Sequence, residues 1–207
     1  MTILNHAIAA VASARRLVAG LGTIMGYLAG WGFILCAAFI TFDVLARRFF
    51  GFSSQSTTEI TGYALAFGIS WGLAHTLTAR AHVRIDVLIN HLPPPLRYPM
   101  HLLSLAALGV FVAFIAWGAY ALVDESLLFG ATDISLLRTP LWLPQGLWAF
   151  GIVVFLALIV VMLVENALLL VAGGGAEVEA QLHTRTYDEE AAEALEAVGA
   201  KTGIEAP

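Results

Sequence analysis

The chain has 207 residues, 59% of them apolar and only 12% charged, with a mean hydropathy of +0.84. That balance lies outside the range of soluble globular domains and reads as an integral membrane protein. The formal charge of −5 is unevenly spread: residues 1–172 hold eight arginines against seven acids, whereas residues 173–207 hold two bases against eight acids. No basic patch is dense enough to suggest nucleic acid, and that partner class is set aside.

Four runs contain no Asp, Glu, Lys or Arg: Leu17 to Phe42, Ile60 to Ala79, Tyr98 to Val123 and Thr139 to Val164. A helix crossing the hydrocarbon needs about 20 such residues, so each run is long enough. The fold class expected is an all-α integral membrane protein with four transmembrane helices, over about 17–42, 60–79, 98–123 and 141–166. An interfacial amphipathic helix is expected at about 81–92, between the second and third spans. Residues 1–16 read as a short N-terminal interfacial segment ending in Arg15 and Arg16, and residues 173–207 as an acidic, flexible tail. No secretory signal is expected, because the first apolar run exceeds a signal h-region of about 7–15 residues.

In the first span Gly22, Gly26 and Gly30 recur every four residues, a small-residue stripe that lets another helix approach closely. Packing inside the bundle and contact with a partner chain both fit it. Cys36, the single cysteine, reads as a small apolar packing residue. The span ends in FDVLARRFFG, where Asp43 and Arg47 stand four apart with the acid first, the better orientation for a helical ion pair. Ser56-Thr57-Thr58-Glu59 then fits a capping box, so Glu59 has two readings: a helix cap, or an ion pair with Arg47 or Arg48.

Ala81, Ile85, Leu88, Ile89 and Leu92 fall on one face of a helix, with His82, Asp86 and Asn90 at spacings of four on another, which suits a helix lying in the membrane interface. Pro93-Pro94-Pro95 stops it. Asp124 and Glu125 mark the end of the third span. A connection broken by Gly130, Pro140 and Pro144 leads to the fourth, with Trp142 and Trp148 at headgroup level. Glu165 and Asn166 close that span, and Gly173-Gly174-Gly175 form a joint into the tail. With an even number of spans the termini share a side, and Arg15, Arg16, Arg80, Arg84 and Arg97 outnumber Arg47, Arg48 and Arg138, which puts both termini in the cytoplasm.

No span has a carboxylate or fixed cation in its middle, which argues against a self-sufficient proton-coupled carrier. No Walker loop, nucleophile elbow or H-E-x-x-H occurs, so no enzymatic activity, catalytic residue, cofactor or metal is expected. Two other classes stay open. His75 and His101, both near one membrane face, could hold a haem and make the chain a membrane anchor of a respiratory complex. A stand-alone small channel or carrier is the other.

Several segments resemble the four-helix small permease subunit of tripartite ATP-independent periplasmic (TRAP) transporters of the dicarboxylate type. They are VLARRFFG closing the first span, TTEITGYALAFGISWG opening the second, A-R-A-H-V-R-I-D-V-L followed by L-P-x-x-x-R, and TPLWLPQG entering the fourth. The resemblance covers residues 20–170 and is most specific from Arg80 to Arg97. The chain departs from the pattern just before Glu59 and in its acidic tail. The resemblance implies a sodium-driven system for organic anions in the bacterial inner membrane. A periplasmic substrate-binding protein captures the anion, and a large permease subunit carries it. The small subunit then acts as a scaffold in the bilayer and carries no substrate itself. It further implies structural or interface roles for Asp43, Arg47, Glu59, His82, Arg84, Asp86 and Arg97. His82, Arg84 and Asp86 would fix the interfacial helix, and Arg47 with Glu59 would stabilise the opposite face.

Overall fold

In a computed structural model the described residues are 2–54, 56–80, 93–135, 137–182, 191, 192 and 195. They form five helices and no strand longer than an isolated bridge: α1 (Thr2–Phe50), α2 (Thr57–Thr78), α3 (Pro94–Phe129), α4 (Trp142–Val171) and α5 (Gly175–Leu182). The expected interfacial helix at 81–92, with His82, Arg84 and Asp86, lies outside the described residues.

α1 runs through both the N-terminal segment and the first span read from the sequence. It is one unbroken helix of 49 residues, roughly 73 Å long at 1.5 Å per residue, against a hydrocarbon core of about 30 Å. Nothing between Thr2 and Leu17 breaks a helix: there is no proline or glycine, and alanines, the best helix formers, dominate. Three of the described helices are long and apolar enough to cross a membrane, over Leu4–Phe50, Leu96–Phe129 and Trp142–Val171. α2 has the length, at 22 residues, but its threonines, Ser70, His75 and Glu59 make it less apolar than the spanning stretches of the other three.

α4 is the centre of the packing. It touches α1, α2, α3 and α5, while α3 touches α4 and α5 but neither α1 nor α2. Its buried face carries Ile152, Phe155, Leu158, Ile159 and Met162 at helical spacing, against Met25 of α1, Ala74 and Leu77 of α2, and Leu105 and Val112 of α3. Most other large apolar side chains point outward, as for Trp31, Phe114 and Trp117. That is the expected arrangement in lipid, where burying such groups between helices brings no hydrophobic gain and close packing decides association.

The glycine stripe resolves accordingly. A Cβ on Gly22 would stand 2.8 Å from the Ala74 Cβ, and one on Gly26 would stand 2.8 Å from the His75 Cβ. These two glycines set the approach of α1 to α2. Gly30 has open space around it.

The chain leaves α4 through Gly173, at φ +83, and the Gly174 N–H donates back to the Leu169 carbonyl at 2.9 Å. This left-handed helix end, which glycine adopts without a Cβ penalty, reverses the chain. The tail expected to be free from Gly173 onward is therefore folded at its start. α5 turns back under the bundle and buries Val178 and Leu182, four residues apart on one face.

Candidate functional site

The functional side chains collect in two polar layers, one at each end of the helices. The first surrounds α5. The Arg15 Nε donates to Glu165 Oε2 at 2.6 Å, joining α1 to α4 across 150 residues of sequence, and the Glu165 side chain is 3% exposed. Gln181 of α5 completes the cluster. Its Nε2 donates to Glu165 Oε1 at 3.2 Å, and its Oε1 accepts from the Asn166 Nδ2 at 3.3 Å. Asn166 also donates to the Met162 carbonyl at 2.8 Å. Arg97 of α3 forms an ion pair with Glu179, and Arg80, just past α2, donates to the Ala180 carbonyl at 3.1 Å. One eight-residue helix thus binds polar groups from the ends of α2, α3 and α4, and reaches α1 through Glu165.

Glu165 tolerates burial because both carboxylate oxygens are occupied, one by a charged donor, which offsets the desolvation that an isolated carboxylate would suffer.

The opposite layer starts at Asp43. Its side chain is 2% exposed, and it accepts from the Arg47 Nη2 at 2.7 Å and from the Ser54 N–H at 2.8 Å. The i,i+4 pair read from the sequence is present, and the same carboxylate also ties down the turn between α1 and α2. Glu59 belongs to a different group of contacts. It accepts from the Thr139 hydroxyl at 2.8 Å, and the Tyr63 hydroxyl lies 3.2 Å from the same Oε1. The Tyr63 hydroxyl donates to Asp133 Oδ2 at 2.6 Å. Two crossed backbone bonds, Asp133 N–H to the Thr139 carbonyl and Leu141 N–H to the Ala131 carbonyl, fold the α3–α4 connection into a small loop. Tyr63 and Glu59 fasten that loop to the start of α2. Asp133 lies in this loop, and donation from Tyr63 holds its carboxyl below its ordinary value, outweighing the opposing effect of burial.

Neither sequence reading of Glu59 holds. Ser56 makes no side-chain cap hydrogen bond, its backbone at ψ 3 being far from the extended conformation that aims a cap. Arg47 pairs with Asp43, and among the described residues no ion pair joins Glu59 to Arg47 or Arg48. The sequence reading also missed Tyr63, Asp133 and Thr139, as well as the Arg15, Glu165, Gln181 and Arg97–Glu179 contacts. A signal existed for the last group. Val178 and Leu182 share a helical face directly after a triple glycine, and two polar residues close the preceding span.

His75 packs on Gly26 with the Tyr27 ring 6.1 Å away, and His101 is fully buried on α3. No group of three or more His, Cys, Asp or Glu that could hold a metal occurs among the described residues.

Comparison with curated proteins and with solved structures gave no match. The family model for the DctQ component of tripartite ATP-independent periplasmic transporters matches residues 35–169, from the middle of α1 to the end of α4. That stretch is well over half of the chain and contains the Asp43–Glu59 layer, whereas Arg15 and α5 lie outside it. The chain belongs to this family, and it is a small membrane subunit of a TRAP transporter, a transporter component rather than an enzyme.

Proposed function

We propose that the chain is the non-transporting scaffold of a sodium-driven, binding-protein-dependent transporter for carboxylates. It spans the inner membrane four times, α2 included, with both termini in the cytoplasm. The layer around α5 is then cytoplasmic and the Asp43–Glu59 layer periplasmic. A larger permease subunit carries substrate and sodium, and a periplasmic protein delivers the anion. Asp43, Arg47, Glu59 and Arg97 hold the scaffold's shape, and His82, Arg84 and Asp86 anchor the stretch between α2 and α3.

The observation that carries this reading is the placement of charge. Every arginine and carboxylate with a described ion pair lies outside the four charge-free runs, engaged in holding elements together. None lies in the middle of an apolar run, where a coupling or substrate-binding group would be expected. Such a molecule is built to keep one shape while another moves.

The test is to express the chain with its chromosomal neighbours, purify it in mild detergent and identify the companions by mass spectrometry. A stoichiometric, larger multi-span permease is expected. Purification of the chain alone, with full transport retained by the rest of the system, would overturn the reading.

A further inference from the structure

Between the ends of α1, α2 and α4 and the back of α5 lies a cavity of about 240 Å³ whose wall includes Arg15, Leu77, Thr78, Arg80, Met162 and Gln181. Among the described residues its charge is unbalanced. Two arginines line it, and among the described residues the one carboxylate paired with either of them is Glu165, which also accepts from Gln181. Glu179, the next acid on α5, is engaged by Arg97. Arg80 donates from one amino group to the Ala180 carbonyl, and among the described residues its side chain has no other hydrogen bond or ion pair.

The backbone at Arg80 points the same way. It stands in the left-handed region at φ +56, just after the α2 C-cap Ala79, and its N–H donates to the Leu77 carbonyl. Glycine is the residue that suits this helix-ending position, and an arginine there is held against its backbone preference.

We infer that this cavity binds a phosphate group, that of an anionic phospholipid headgroup. A guanidinium meets phosphate oxygens with two parallel N–H donors, and one added negative charge would neutralise the excess of the pocket. Leu77 and Met162 in the same wall suit the glycerol and first acyl carbons of a lipid better than a fully hydrated free ion. The level fits as well: the cavity opens where α2 ends. On the proposed orientation, on which this inference rests, that is the cytoplasmic headgroup layer, where basic pockets between helices take acidic lipids.

The test uses the full chain, purified and stripped of lipid, then offered phosphatidylglycerol or phosphatidylcholine of matched acyl chains, with bound lipid counted by native mass spectrometry. Retention of phosphatidylglycerol should exceed that of phosphatidylcholine by about tenfold, because both carry the phosphate and only the choline cation of the second cancels its charge. Arg80→Gly removes the guanidinium while relieving the backbone, so it should fold at least as well as the parent and lose the preference. Arg80→Lys should keep part of it. The double variant Arg15→Gln/Glu165→Gln, which leaves no buried charge unpaired, serves as a second probe and should weaken the preference. Displacement of the lipid by millimolar inorganic phosphate would support the phosphate site but assign it to a soluble anion. Equal retention of the two lipids by the parent chain, or a preference unchanged in both the Arg80→Gly and the double variant, would overturn the inference. None of these outcomes depends on the large permease being present, so failure here is distinguishable from failure of the scaffold reading.

Discussion

Arg15 and Glu165 meet at 2.6 Å at the point where α1, α4 and α5 converge, and the acid is shut away from solvent while the arginine remains about a third exposed. The asymmetry decides what each substitution does. Arg15→Met leaves a buried carboxylate with one neutral donor and should cost about 3 kcal/mol of stability. Arg15→Met/Glu165→Met should recover most of that loss. Denaturant unfolding of the detergent-solubilised parent, single and double variants measures the coupling. Additive losses would show that the pair is not a unit.

Gly26 and Gly30 look equivalent in the sequence, but the structure separates them. A side chain at Gly26 must displace the His75 Cβ, 2.8 Å from where its own Cβ would stand, whereas Gly30 has open space. Gly26→Leu should destabilise the chain by about 1–3 kcal/mol through overpacking, and Gly30→Leu should leave the isolated chain unchanged. Thermal unfolding of the two variants in the same detergent separates them. If Gly30→Leu nonetheless blocks assembly of the complex, its open face is where a partner helix lies.

The loop between α3 and α4 should respond to acid through Asp133. Its carboxyl is held below the ordinary value of 3.8 by donation from Tyr63. A depressed folded value contributes stability that is present above the ordinary carboxylate range and is lost as pH falls through the lower folded value. Tyr63→Phe removes the donor, so it should lower the unfolding midpoint at neutral pH and flatten its decline below about pH 4, the ordinary Asp range. Identical pH profiles for parent and variant would show that the contact contributes nothing.

α5 is held by two buried side chains and by its polar contacts. Val178→Asp places a charge in a fully buried position and should release the helix. The expected result is new protease cleavage between Gly173 and Leu182 with the rest of the membrane domain intact. Unchanged protection would show that the polar contacts hold α5 without its apolar face.

Much of this was legible in the sequence, for identifiable reasons. Lipid imposes a simple rule, a charge-free run of about 20 residues per crossing, so the positions of α1, α3 and α4 follow from counting. The Asp43–Arg47 pair was legible because its spacing is local and belongs to the helix itself. Glu59 was not, because its partner Thr139 lies 80 residues away, beyond α3, and its local pattern imitated a cap. The continuity of α1 through residues 2–16 escaped because weak apolarity says where a helix leaves lipid and not where it ends. α5 escaped because the acidity of the whole tail masked an eight-residue amphipathic segment at its start. The scaffold role itself came from the resemblance of short motifs, which the family match over residues 35–169 supports at the level of the subunit.

The measurement that bears most directly on the central claim is sodium-driven uptake of a labelled carboxylate into proteoliposomes. These would contain this chain alone, the larger co-purified permease alone, or both, each with the periplasmic binding protein outside. The scaffold reading predicts no uptake with this chain alone and full uptake only when both membrane proteins are present. Uptake by this chain alone, or undiminished uptake by the permease without it, would contradict the account.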